Sequence, residues 1–200
     1  MHGTQAPDDV RAEQNRVAAM NDDIVRELSG EATRSADASA SRQLPVGPAL
    51  TAAGLESGIV RLIADLIGPE QTQPDFVGEM LAVKLSPDAT GEREGVQGGL
   101  EAGTYEIYVL ELYPENPGKH VSIRVRPSDA SRCVLAYEIL SKALTESGYA
   151  GKPMPRSLDP SVSFSRSRGA IKTFVRLDTD RHDSPRCVRH VSFNLGQADD

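Results

Sequence analysis

Tryptophan is absent from this chain, aromatic residues make up 4% of it, and its 200 residues include only two cysteines. Two cysteines exclude a disulfide-dense scaffold, and 17 glycines and 13 prolines without a period exclude collagen-like or low-complexity chains. Basic residues are in deficit: 22 Lys and Arg stand against 29 Asp and Glu, a formal net charge of −7. Gripping nucleic acid takes a dense basic surface that neutralises phosphates, so no nucleic-acid partner is expected. The balance gives no electrostatic reason to sit on an anionic membrane either. Long apolar runs are missing too. The most apolar window, residues 58–68, is broken by Arg61 and Asp65. It falls far short of the ~20 residues that span a bilayer, so no transmembrane segment is expected.

Catalytic and cofactor signatures are equally scarce. The chain has no GxxxxGK[ST] or GxGxxG phosphate loop, no GxSxG elbow, no HExxH, no EF-hand loop, no CxxC and no SxxK. The spacing of Gly95, Gly98, Gly99 and Gly103 fits no phosphate cradle and reads as a loop. No cofactor and no metal site is expected. The first residues carry neither the basic n-region nor the apolar stretch of an export signal. A polar start rich in Ala, Asp and Gln is common just after an export-signal cleavage site, so a periplasmic or envelope location is expected, with a cytoplasmic one as the alternative. Arg far outnumbers Lys, which fits a GC-rich bacterial genome.

What is present is an amphipathic α+β pattern. Val10, Val17, Ile24 and Leu28 recur on one face of a helix over residues 8–28, with Asp8 and Asp9 at its start. Residues 30–42 hold no large apolar side chain and read as a flexible Ser/Ala linker. Residues 1–43 are therefore expected to be a helix and tether, and residues 44–200 one domain. Leu55, Ile59, Ile63 and Leu66 predict a second helix over residues 50–67, buried on the core. Residues 80–85 read as a strand and residues 87–103 as a charged, glycine-rich loop. Residues 105–113 and 120–126 form the best hairpin: Val121, Ile123 and Val125 alternate with Ser122, Arg124 and Arg126. Asp129 is expected to cap a helix reaching Glu146, followed by strands at 162–165, 170–177 and 188–195. The expected fold is α+β, with about five to six antiparallel strands packed on two to three helices in the order α-α-β-β-β-α-β-β-β.

Two sets of residues carry functional readings. Between residues 156 and 189, eight Lys and Arg face four Asp. Arg124, Arg126, Arg176 and Arg189 are expected on the outer face of the sheet as a basic platform for an acidic partner. The competing reading packs that platform against the acidic half of the same chain. The run Asp178-Thr179-Asp180-Arg181-His182-Asp183 could bind a divalent metal or serve acid–base work, but a polar stretch between two strands is ordinary hairpin-loop composition. Alternation places His190 on the outward face of the last strand.

Cys133 is expected in the first turn of the third helix and Cys187 at the start of the final strand. A disulfide between them is expected, two buried thiols being the alternative. The leading functional expectation is a non-enzymatic envelope protein that binds another protein, such as an immunity or inhibitor protein against a secreted enzyme or toxin. A cytoplasmic adaptor, or a hydrolase without a known motif using His182 or His190, are the alternatives.

Overall fold

Alternating β-branched and aromatic residues in the second half of the chain build one antiparallel sheet, and three helices cover a single face of it. The computed structural model describes residues 43–112, 114–154 and 160–198. Gln43 apart, these belong to one unit, Leu44–Asp200. The helix expected over residues 8–28 and the linker at 30–42 lie outside the described residues.

Helix α1 (Ala52–Asp65) starts where the Thr51 hydroxyl accepts a hydrogen bond from Gly54 N at 3.0 Å. It buries Leu55, Ile59, Leu62 and Ile63, with Leu66 just beyond its end. A 3₁₀ turn (Pro69–Thr72) leads into α2 (Pro74–Leu81). Strands β1 (Ser86–Pro87), β2 (Arg93–Leu100), β3 (Gly103–Leu110), β4 (His120–Pro127) and β5 (Leu135–Ala136) follow. Then come α3 (Tyr137–Glu146), β6 (Ala150–Pro153), β7 (Ser161–Arg168), β8 (Ile171–Thr179) and β9 (Cys187–Gln197). The sheet order is β1-β2-β3-β4-β9-β8-β7-β6, with β5 paired to β9, and every strand pair is antiparallel. The fold is α+β, and its order follows the expected one in outline.

Three expectations about local structure fail. Met80 and Leu81 close α2 instead of opening a strand, because Ala82 takes the left-handed conformation (φ 55°) and ends the helix. The glycine-rich segment is the regular strand β2, pairing with β3 from Arg93↔Leu110 to Leu100↔Gly103. Its glycines admit close neighbours: a Cβ on Gly98 would lie 2.7 Å from the Tyr105 ring and 2.8 Å from Pro48 O. Asp129 caps no helix. Its carboxylate accepts from Ser131 N (2.9 Å) and Ser131 Oγ (2.8 Å) in a local turn, and α3 begins eight residues later. β1, β2, β5 and β6 raise the strand number from the expected five or six to nine among the described residues.

The core joins the α1 stripe, Val77, Leu81, Leu140 and Leu144 to Ile107, Ile123, Val175, Val191 and Phe193 of the central strands. Among the described residues, all three helices pack on that face. Arg166, one of the arginines counted toward the outer platform, points into it instead. It is 9% exposed, donates to Ser147 O at the end of α3 and to Leu66 O at the end of α1, and lies 4.3 Å over the Tyr149 ring. A cation suits both helix C-termini, where orphan carbonyls and the dipole carry negative charge.

Candidate functional site

Alternation that buries Tyr105, Ile107 and Val109 turns Thr104, Glu106 and Tyr108 to the opposite face. Pairing carries that face across four strands. One row runs Glu106–Arg124–His190–Asp178 and the next Tyr108–Ser122–Ser192–Arg176. Among the described residues no helix covers this polar face.

A hydrogen-bonded relay lies along it. His190 Nδ1 is 2.8 Å from Asp178 Oδ2, and His190 Nε2 is 2.8 Å from Ser122 Oγ. A carboxylate only accepts, so Nδ1–H donates to Asp178, while Nε2 and the Ser122 hydroxyl share the second hydrogen bond. Arg176 Nε donates to the other Asp178 oxygen at 2.6 Å. Burial pushes the Asp178 carboxyl up, but the His190 and Arg176 hydrogen bonds outweigh it and hold the group below the usual carboxylate range. Beside the relay, His120 Nδ1 donates to Asn194 Oδ1 at 2.8 Å.

Serine, histidine and aspartate in this order are the components of a nucleophilic triad. Ser122, however, is 0% exposed. It sits in mid-strand, and no substrate carbonyl has a path to its Oγ in this conformation. What the relay does as it stands is hold the His190 ring at one orientation beside a groove.

That groove opens where β9 leaves β4. The two strands pair from Val121↔Phe193 to Arg124↔His190, after which the start of β9 pairs with β5 at Val188 and Cys187. Between Asp178↔His190 and Thr179↔Val188 the β8–β9 register shifts, so Arg189 is an extra, exposed residue of a β-bulge. The bulge brings Arg189 alongside Arg124, Arg126 and His190 around a groove of about 330 Å³, with Pro127 and Ala130 on its apolar side. Arg126, its side chain 70% exposed, lies 3.9 Å from Glu106. Arg124 and Arg189 make no ion pair among the described residues. Three of the four arginines expected to act together therefore converge. The fourth, Arg176, faces the same side of the sheet but lies outside the groove and holds Asp178.

Covalent and polar ties fix the wall of the groove. Cys133 and Cys187 form a disulfide with Cα atoms 5.2 Å apart, joining the segment before β5 to the first residue of β9. Cys133 lies in that loop, not in the first turn of α3, which begins at Tyr137. Asp180 accepts from Arg186 N (3.0 Å) and Cys187 N (3.1 Å), and Glu56 accepts from Ala136 N (2.6 Å). These bonds place the Arg189 bulge. No family model matches the chain, and no curated protein or solved structure is significantly similar to it.

The acidic run between β8 and β9 divides. Asp178 enters the relay and Asp180 pins the loop, whereas His182 and Asp183 are exposed and line a separate cavity. Among the described residues no group of three or more metal-ligating side chains converges. Sequence reasoning put His190 on the outward face but missed Ser122 and Asp178 as its partners. Alternation signalled all three positions. The pairing of β4 with β9, across 66 residues from Arg124 to His190, did not show.

Proposed function

We propose that this is a non-enzymatic protein-binding protein of the bacterial envelope, of the immunity or inhibitor kind, which receives an acidic segment of a secreted enzyme or toxin. One observation carries the reading. Arg124 and Arg189, without acidic partners among the described residues, share a groove with Arg126 on the sheet face that no described helix covers. Guanidinium forks match carboxylates in bidentate geometry, so unpaired arginines around one groove favour an acidic visitor. The Cys133–Cys187 bridge supports an oxidising compartment, where such bonds persist.

Capture from envelope and cytosolic fractions tests this reading with two baits, the wild-type chain and the double variant Arg124→Glu/Arg189→Glu. The wild type is expected to recover a stoichiometric secreted protein from the envelope fraction, and the double variant is expected to lose it. Equal recovery by both baits would remove the groove from the account.

The Ser122–His190–Asp178 order favours a second reading, hydrolysis. A fluorophosphonate probe decides between the two. The binding reading predicts no label on Ser122, since its hydroxyl is sealed from solvent; stoichiometric labelling lost in Ser122→Ala would establish the hydrolase.

A further inference from the structure

We infer that His190 is the fourth cation of the arginine groove: it takes up a proton when an acidic segment enters, so binding tightens as pH falls from about 8 to 6. The coupling rests on the acidic-segment reading above and adds to it both a residue and a means of regulation.

His190 lines the groove with Arg124, Arg126 and Arg189. Its side chain, 17% exposed, is clasped at both nitrogens, Nδ1 by Asp178 Oδ2 and Nε2 by Ser122 Oγ, each at 2.8 Å. A hydroxyl serves a ring nitrogen as donor or as acceptor. The ring can therefore carry one proton or two without a heavy atom moving. Asp178 supplies the counter-charge for the second. Burial pushes its carboxyl up, but the bonds from His190 and Arg176 hold it below the usual carboxylate range, so it stays ionised wherever histidine titrates.

The other charges around the ring oppose that second proton while the groove is empty. From β4, Arg124 lies directly across the strand pair, with Arg126 two residues further on. From β8 come Asp178 and Arg176, bonded to each other, and from β9 Arg189, next in sequence to His190. Glu106 of β3, the next residue of the row beyond Arg124, is 3.9 Å from Arg126. Both carboxylates thus have an arginine of their own, whereas Arg124 and Arg189 make no ion pair among the described residues. His120, also on β4, is held below the ordinary histidine value by burial, so it is not the group that responds. A carboxylate seated between Arg124 and Arg189 offsets the repulsion. The proton then follows the anion, and by reciprocity it strengthens the anion's hold.

Calorimetric titration of the whole chain with a capped hexa-aspartate peptide tests the coupling, because the peptide's carboxylates stay ionised above about pH 6. Repeating the titration in buffers of different ionisation enthalpy counts the protons taken up. The wild type is expected to take up about half to one proton per peptide near pH 7, and its Kd to fall about three- to tenfold between about pH 8 and 6. His182→Gln, at an exposed loop position outside the groove, is expected to behave as the wild type. His190→Gln is expected to take up no proton and to bind equally at both pH values. The His190 imidazole resonances of the wild type follow the same proton by NMR, with and without peptide, and are expected to report its uptake on binding. Binding with no proton uptake and equal affinity at both pH values would overturn the coupling and leave the groove reading standing. Uptake that survives His190→Gln would overturn the assignment to His190. Failure of the peptide to bind the wild type at either pH, or equal binding by Arg124→Glu/Arg189→Glu, would overturn the groove reading and the coupling with it.

Discussion

Arg166 shows how one residue can serve a role opposite to its composition. It carries a charge into the helix-covered side of the sheet with no ion pair to a carboxylate among the described residues, and the ends of α1 and α3 stand in for the anion. Removing the guanidinium leaves two helix-end carbonyls short of a donor and the Tyr149 face bare. Arg166→Met keeps the apolar stem and is expected to cost about 3–6 kcal/mol in urea denaturation, since the two bonds to this charged donor are each worth roughly 1.5–3 kcal/mol. A loss within experimental error would show that water replaces the side chain.

Acid sensitivity also belongs at this scale. Asp178 and Asp180 are held below the usual carboxylate range, and Asp88 is lowered to about 2, burial being outweighed by bonds from Arg93 and Thr90. A depressed folded-state pKa gives stability that is complete above the unfolded value, near 3.9 for aspartate, and drains away as pH falls through the folded value. Unfolding free energy from these groups is therefore expected to be flat from neutral pH to about 5 and to fall toward pH 2. Asp88→Asn should flatten the lower part of that limb. Unchanged acid limbs in Asp88→Asn and Asp178→Asn would contradict the assignment.

At the scale of elements, legibility followed locality. The helix over residues 50–67 and the 105–113/120–126 hairpin were readable because period, caps and turn residues agree within a short window. The strand over Arg93–Leu100 was not, because Gly95 and Gly98 serve contacts with Leu44, Tyr108, Tyr105 and Pro48 that come from outside the window. Gly58 in α1 is the same kind of residue: a Cβ there would lie 2.8 Å from Met80 O and 3.2 Å from Leu81 Cα of α2. Arg61 already ties these helices by donating to Met80 O at 2.9 Å. Alanine in place of a helical glycine gains about 1 kcal/mol of propensity, whereas overpacking a rigid backbone contact costs about 1–3 kcal/mol. Gly58→Ala is accordingly expected to lower stability on balance, and a raised melting temperature would mean that the two helices separate easily.

Over the whole molecule, the arginine surplus was visible in the sequence but its convergence was not. Arg124 and Arg126 sit on β4 and Arg189 on β9, and only the non-local pairing of those strands, the bulge and the inserted β5 bring them to one groove. The disulfide helps to set that junction, closing a span of 54 residues. Such a closure is worth about 4 kcal/mol in the chain-entropy treatment. Folding thus gathers positive charge on a molecule whose net charge is −7. That local field is the physical basis of the proposed attraction for an acidic partner. The most direct measurement is the association rate of the captured envelope protein with the wild type and with Arg124→Glu/Arg189→Glu. It is followed from ~0.01 to ~1 M ionic strength, over which the screening length falls from ~30 to ~3 Å. The account predicts that wild-type association slows at least roughly tenfold across that range, and that the double variant starts slow and changes little. Equal rates and equal salt dependence for the two proteins would contradict it.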